Sequence, residues 1–238
     1  MGYLAGSTLP HVGFDYHTWS MDETNPVMGW QTRGQDYRTR VTYIQEIQRI
    51  ATENGIDDAY VISLEAGMAA TQEMERDQAG YLVRSHVSSV AYGQHKLFWT
   101  KVVEYDHHPT GGSIFSHTGL VHDPDNSDGL NHEKLAYFTY KLLVETLAGS
   151  DWANTRIVSE SDNICVYELP SKTSGQSVYV AWWDFFDAIG DTRVFTLTEL
   201  ANVGSVEVIE AIPNAASGAE LDPEQYPGFF ATEVLPVV

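Results

Sequence analysis

Residues 60–65 (YVISLE) form a nearly continuous apolar run, and this run decides the fold. Such runs are typical of strands that are buried on both faces of a parallel sheet. The run ends on the carboxylate of Glu65, and a polar loop follows it. We therefore predict a central strand of a parallel sheet, with Glu65 at its carboxyl end.

The segments on either side of this run carry apolar residues at helical spacing, and further short apolar runs separate them. An alternation of strands and helices is the pattern of a parallel sheet that is covered by helices. Glycines stand where the helices are predicted to end. The helices are predicted over residues 35–54, 77–92 and 133–148, and the flanking strands over residues 12–19 and 96–103.

From about Trp152 onward the pattern changes to short alternating or β-branched runs that turn residues separate. Helical periodicity does not return, so the tail is predicted to be a small antiparallel β-sandwich. The chain thus divides into an α/β part over residues 1–150 and an all-β part over residues 151–238. Strands of the tail are predicted over residues 163–169, 177–183, 193–197, 205–209 and 229–237.

The chain is strongly acidic, with a formal net charge of −20 from 33 acidic and 13 basic residues. Such a charge repels phosphate backbones and anionic membrane surfaces, which argues against nucleic acid and membranes as partners. A neutral ligand such as a sugar feels little of this field. No signal peptide or membrane-spanning run is visible. The expected location is therefore cytoplasmic, or secreted and extracellular if a targeting segment lies upstream.

The ends of the predicted parallel strands carry residues that suit sugar chemistry. His17 and Trp19 end the first strand, Glu65 ends the second, and Trp99 lies in the third. Parallel barrels hold their active sites at the carboxyl ends of the strands. A carboxylate there can attack a sugar, and indole faces stack on sugar C–H surfaces. Strand-end carboxylates also cap helices, so spacing alone leaves a structural role for Glu65 open.

The motifs of the chain stand in a distinctive order. EAG at residues 65–67, QAGYLVR at residues 78–84 and KLFW at residues 96–99 follow one another. GLV at residues 119–121, KLAY at residues 134–137 and LPVV at residues 235–238 come further on. This order resembles strand seven, helix seven, strand eight and helix eight of the clan A glycoside hydrolases, followed by the last strand of the sandwich often appended to them.

The resemblance implies a fold and a role for each candidate residue. The chain would be the C-terminal half of a (β/α)8 TIM barrel with its β-sandwich, and the enzyme would be a retaining glycosidase with a carbohydrate substrate. Glu65 would be the nucleophile, and Trp99 would be the stacking platform under the sugar. His17 and Trp19 would contact the nucleophile or the substrate.

The chain also departs from the family pattern. Leu64 precedes the glutamate where many relatives carry a small polar residue, and the Asn-Glu pair that usually marks the acid/base is absent. Glu23, Glu104 and Asp106 lie in loops on the same side of the sheet and could substitute for the acid/base, but we expect them to be solvated loop charges. A second chain or a missing N-terminal half would have to complete the barrel. Two functions stay open: the intact protein is a retaining glycosidase, or the chain is a non-catalytic carbohydrate-binding or structural remnant of such an enzyme.

The long loop after residue 103 is rich in histidine and aspartate. Imidazole and carboxylate groups are common metal ligands, but the spacing here matches no compact metal motif. We therefore expect a polar loop, with no bound metal and no cofactor. The residues concerned are His107, His108, His117, His122, His132, Asp106 and Asp123.

Overall fold

The computed structural model describes residues 12–15, 18–19, 37–57, 59–104, 117–125, 129–184, 194, 196–201 and 203–237. These residues form a mixed architecture of three α-helices and several small sheets. None of these helices is both long enough and apolar enough to cross a membrane. The predictions for His17, Glu23, Asp106, His107 and His108 lie outside the described residues.

A parallel sheet forms around the predicted central strand, which is confirmed as β3 (Ala59–Gly67). Strands β1 (Val12–Asp15) and β2 (Thr18–Trp19) follow one another along one edge of β3. Strand β4 (Lys96–Trp99) lies along the other edge and is shorter than the strand predicted over residues 96–103.

The order of these strands follows from the pairing of a single residue. Ile62 of β3 pairs with Asp15 on β1 and with Lys96 on β4, so β1 and β4 lie on opposite edges of β3. All pairs are parallel, as predicted. Among the described residues, four strands join this sheet. Its closure into a barrel stays a prediction.

Three helices match the predicted ones to within two residues at each end. They are α1 (Tyr37–Glu53), α2 (Glu75–Ala91) and α3 (Leu135–Leu147). The apolar faces that predicted them are buried, as Ile44 of α1 and Leu82 of α2 illustrate with 0% exposure. Periodicity was therefore sufficient to locate these elements, because one face of each helix enters the core.

Helix α1 also buries a charged side chain, that of Arg40, which is 0% exposed. Its guanidinium donates to the hydroxyl of Ser63 at 3.3 Å and to the hydroxyl of Tyr81 at 3.4 Å. A buried charge is tolerated only where it is hydrogen-bonded. Arg40 therefore links α1 to β3 and α2 through polar contacts in an otherwise apolar layer.

The tail forms two small antiparallel sheets. Strands β5 (Arg156–Ser161), β6 (Ile164–Pro170) and β7 (Ser177–Trp183) make a three-stranded sheet, and β8 (Ser205–Ile209) pairs with β9 (Thr232–Pro236). Strands β6 to β9 confirm four predicted strands. Strand β5 was not predicted, because its sequence RIVSES is largely polar. The strand predicted over residues 193–197 is wrong for its described members, which lie in no strand.

The three-stranded sheet shares a hydrophobic core with the helices. Cys165 and Tyr167 of β6 belong to one buried cluster with Val83 and Val87 of α2 and Leu147 of α3. This core crosses the position near residue 150 at which the sequence pattern changes. The division into residues 1–150 and 151–238, and the pairing of the small sheets as a sandwich, stay predictions.

Two glycines allow segments of the chain to approach closely. A Cβ at Gly119 would lie 2.4 Å from the backbone nitrogen of Glu104, and a Cβ at Gly218 would lie 1.7 Å from the carbonyl oxygen of Glu133. Both distances are shorter than any that a Cβ tolerates without movement of the neighbouring atom. A side chain at either position would therefore displace the backbone of another segment.

Gly218→Ala should destabilise the protein, because the new Cβ would overlap the backbone of Glu133. We expect the free energy of unfolding to fall by about 3 kcal/mol, the upper end of the usual cost of overpacking. Gly204→Ala is the matched control, since a Cβ at that position has nothing within 4 Å. Urea unfolding of both variants measures the difference, and equal stabilities would show that the segment around Gly218 does not pack on Glu133.

Candidate functional site

Glu65 lies in a β-bulge at the carboxyl end of β3. Ser63 pairs with Leu97, and Ala66 pairs with Trp99. Two residues of β3, Leu64 and Glu65, therefore lie opposite one residue of β4, Phe98. A bulge bends its strand and re-aims the side chains within it. The side chain of Glu65 is partly buried at this point.

The bulge has two distinct faces. On the helix side, Ser63 is 0% exposed and accepts a hydrogen bond from Arg40. Leu64 and Phe98 are 48% and 47% exposed, which places them on the opposite face. The carboxylate of Asp15 accepts the N–H of Leu64 at 3.0 Å. A side-chain contact from β1 thus holds the bulged backbone beside Glu65.

Lys101 stands close enough to Glu65 for the two charges to interact. Burial lowers the pKa of the Lys101 ammonium, and the charge of Glu65 acts in the opposite direction. Lys101 follows the end of β4, so a neighbouring strand supplies this cation. The carboxylate at the end of β3 therefore has a positively charged neighbour.

The strands that carry the aromatic candidates run beside Glu65 on both edges of β3. The backbone of Trp99 pairs with Ala66 from one edge, and that of Trp19 pairs with Gly67 from the other. The backbone positions of both tryptophans therefore lie next to the end of the strand that carries Glu65. Their roles as sugar contacts stay predictions, and so does the role of Glu65 as nucleophile.

The side chain of Trp99 is fixed by three contacts. Its indole N–H donates to the carbonyl oxygen of Thr118 at 3.0 Å. Its ring lies edge-on to Tyr81, with centroids 6.1 Å apart, and parallel to His86, with centroids 6.4 Å apart. Tyr81 and His86 both belong to α2, so Trp99 packs in part against that helix.

A second cluster of ionisable side chains lies inside the protein. It consists of Glu75, Glu104, His122, His132 and Lys134, and we call it the buried ionic network. Four members are at most 1% exposed, and the side chain of His132 is 15% exposed. Charges persist at such depth only when they are paired and hydrogen-bonded.

Glu75, the first residue of α2, joins three segments of the chain. Its Oε2 accepts the backbone N–H groups of Leu135 at 2.9 Å and Gly218 at 2.7 Å. Its Oε1 lies 3.2 Å from Nε2 of His122 and 3.2 Å from Nε2 of His132. One carboxylate thus contacts the start of α3, the tail, and the loop that carries His122 and His132, which we call the histidine loop.

Glu104 forms the other half of the network. Its Oε2 lies 3.2 Å from Nδ1 of His122, and its Oε1 accepts a hydrogen bond from the ammonium of Lys134. Lys134 also donates to the carbonyl oxygens of Ala70 at 2.8 Å and His117 at 3.0 Å. His122 therefore bridges two carboxylates, with one ring nitrogen facing each.

The electrostatics of the network keep Glu104 ionised. Burial acts to raise the pKa of Glu104, but the nearby imidazoles of His117 and His122 and the ammonium of Lys134 outweigh it and hold the pKa well below its usual range. The expectation of a solvated loop charge is wrong for Glu104, because the network buries and pairs it. The expectation of a polar loop is wrong for His122 for the same reason.

Three members of the network offer atoms that could hold a metal ion. Glu75, His122 and His132 each present one ligand atom, and these atoms lie within 4.8 Å of one another. Imidazole nitrogens combined with a carboxylate suit transition metals better than Mg²⁺ or Ca²⁺, which prefer oxygen ligands.

Glu75 and Lys101 are not among the candidate residues that the sequence predicts. Glu75 lies in the polar stretch QEMERDQ at residues 72–78, and its partner Gly218 is 143 residues away. Nothing in that stretch distinguishes it from its charged neighbours. Lys101 did carry a signal, because it interrupts the apolar run KLFWTKVV at residues 96–103.

Comparisons with known proteins give limited information. No family model and no curated protein matches the chain. Among solved structures, the chain is similar to one described as a family 39 glycoside hydrolase from the gut symbiont Bacteroides cellulosilyticus WH2. The TM-score is 0.48 and the identity is 16%, over 82% of this chain and 36% of that chain. This similarity decides neither the fold nor the function, and the chain spans little more than a third of that protein.

Lys134→Met should destabilise the protein by about 3–5 kcal/mol, the usual cost of leaving a buried charge without its partner. The reason is that Glu104 would lose its ammonium donor. Lys172→Met is the matched control, because Lys172 is exposed, and its effect should stay within about 0.5 kcal/mol. Chemical denaturation followed by tryptophan fluorescence gives both values. Similar values for the two variants would contradict the burial of the Lys134–Glu104 pair.

Proposed function

We propose that this chain belongs to a retaining glycoside hydrolase in which Glu65 is the nucleophile. The observation that carries the proposal is the position of Glu65, in a bulge at the carboxyl end of the central parallel strand and beside the cation of Lys101. Enzymes built on parallel barrels place their catalytic groups at this end of the strands. The order of the sequence motifs supports the same assignment.

The chemistry is a double displacement. The carboxylate of Glu65 attacks the anomeric carbon, and the bond from that carbon to the leaving oxygen breaks while a general acid protonates the oxygen. Water then attacks the glycosyl-enzyme ester, gives its proton to the same acid/base group, and releases the sugar with its original configuration. Trp99 is proposed as the platform on which the sugar stacks, and His17 and Trp19 as contacts to the nucleophile or the substrate.

Glu104 does not supply the acid/base of this mechanism. That carboxylate is 1% exposed and is engaged by Lys134 and His122. A group of this kind does not deliver a proton to a leaving sugar. We therefore propose that a second chain or an N-terminal half provides the acid/base and completes a (β/α)8 barrel with residues 1–150, while residues 151–238 form its sandwich.

The ligand in this proposal is a neutral carbohydrate. The net charge of −20 disfavours nucleic acid and anionic membrane surfaces as partners. Leu64 and Phe98, on the face opposite the helices, offer apolar surface beside Glu65. Apolar side chains of this kind suit the C–H faces of sugar rings, which are the apolar part of a carbohydrate.

Activated substrates test the nucleophile separately from the acid/base. Aryl glycosides with a dinitrophenolate leaving group need little protonation of the leaving oxygen, so the chain should cleave them even without its acid. We expect Glu65→Ala to lower this activity by about 10³-fold or more, because the covalent route is lost. Added azide should restore turnover by taking the place of the carboxylate.

Glu73→Ala is the matched control, since Glu73 is an exposed glutamate outside the strand and should leave the rate unchanged. The configuration of the first-formed sugar, followed by NMR, should be retained in the wild type and inverted in the azide product. If the wild type binds sugars but cleaves no activated glycoside, the chain is a non-catalytic binding remnant. Equal rates for wild type and Glu65→Ala would remove Glu65 from the mechanism.

A further inference from the structure

We propose that Glu75, His122 and His132 form a binding site for one divalent transition-metal ion, and that Zn²⁺ fits it best. The site belongs to the buried ionic network and uses none of the residues assigned to glycoside chemistry. Its role is to join the start of α2 to the histidine loop. The proposal therefore stands or falls independently of the role of Glu65.

The distances from Oε1 of Glu75 to the two imidazole nitrogens match those between the ligand atoms of a zinc site. Zinc binds imidazole nitrogen and carboxylate oxygen at about 2.0–2.2 Å, so tetrahedral ligand atoms lie roughly 3.3 Å apart. Oε1 of Glu75 lies 3.2 Å from Nε2 of His122 and 3.2 Å from Nε2 of His132. The three ligand atoms all fall within 4.8 Å of one another. One ion can therefore contact all three after a small adjustment of the rings.

The second ring nitrogen of His122 supports the same assignment. Nδ1 lies 3.2 Å from Oε2 of Glu104, so it can donate its proton there while Nε2 keeps a lone pair for the ion. Histidine ligands of metals nearly always donate their other N–H to a carboxylate or a carbonyl in this way. Glu104 is in turn held by Lys134. The site thus has both its ligands and the partner that orients one of them.

Glu75 is also positioned as a ligand. Its Oε2 accepts two backbone N–H groups, from Leu135 and Gly218, which leaves Oε1 directed at the two imidazoles. Without an ion, two imidazole N–H groups would have to share this one oxygen. His122, which also faces Glu104, would then have to carry an extra proton. A metal ion satisfies the same three atoms with neutral histidines.

The charge of the network leaves room for a cation. Glu75 and Glu104 carry two negative charges and Lys134 carries one positive charge, so the remaining negative charge must be balanced either by a second proton on His122 or by a bound cation. A buried excess charge is costly unless a counter-charge is present. The side chain of His132 is 15% exposed, which gives an ion a route to the site and leaves a fourth position for water.

Metal titration of the tag-free full chain, stripped with a chelator and returned to buffer, tests the proposal. Calorimetry should show one Zn²⁺ bound per chain, and Co²⁺ should give the intense visible absorption of a tetrahedral ion. His132→Gln should weaken Zn²⁺ binding by at least about 100-fold, and Glu104→Gln by roughly 10–100-fold through loss of the oriented His122 ring. His95→Gln is the matched control, because the exposed ring of His95 lies outside the network.

Two results would overturn the metal site: no Zn²⁺ bound by the folded wild type, or equal Zn²⁺ affinity in wild type and His132→Gln. Circular dichroism establishes first that His132→Gln and His95→Gln are folded. If His132→Gln does not fold, the Co²⁺ spectrum of the wild type decides. A tetrahedral spectrum supports the site, and the weak spectrum of hydrated Co²⁺ contradicts it.

Discussion

The arrangement of the described segments depends on the contacts that the carboxylate of Glu75 makes. It begins α2, accepts a backbone N–H from the start of α3 and another from Gly218 in the tail, and faces His122 and His132. Hydrogen bonds to an ionised acceptor are roughly twice as strong as neutral ones. Because this group is 0% exposed, each lost partner would leave buried charge uncompensated, and the segments around it are tied to one geometry.

Glutamate side chains occupy two different environments in this molecule. Glu75 and Glu104 are enclosed, and protein groups engage their oxygens on several sides. Glu65 lies only partly buried in a bulge, near the half-exposed Leu64 and the ammonium of Lys101. Enclosed carboxylates and a partly exposed carboxylate are thus separated along the chain. The enclosed carboxylates hold the loops and helices behind the strand end at which the more accessible carboxylate stands.

Local sequence pattern was enough for most of the elements and for the position of Glu65 near the end of β3. The apolar run at residues 60–65 and the helical spacing around Ile44 and Leu82 located β3, α1 and α2, because burial of one face imposes a period on the sequence. The polar strand β5 was not predicted, because its pairing with β6, and not its composition, makes it a strand. The burial of Arg40 was not predicted, because a charged side chain does not belong to the apolar pattern that marks the buried face of a helix.

The network could not be found from the sequence for a different reason. Nothing in the local sequence distinguishes His122 and Lys134 from other polar residues. They belong to the network because Glu75 and Glu104 contact them from other segments of the chain. The same holds for the shared core, in which Tyr167 packs with Val83 across the change of pattern near residue 150. Such contacts depend on tertiary geometry, which one-dimensional spacing does not record.

The separation of 143 residues between Glu75 and Gly218 has a consequence for folding during synthesis. At synthesis rates of about 5–20 residues per second, the tail emerges roughly 7–30 s after the carboxylate that needs it. During that interval α2 can form and pack on β4, but Oε2 of Glu75, which will accept the amide N–H of Gly218, must be hydrogen-bonded to water in its place. The nascent chain therefore passes through a stage with a partly hydrated interior, and water leaves Oε2 of Glu75 only after the segment around Gly218 has been synthesised.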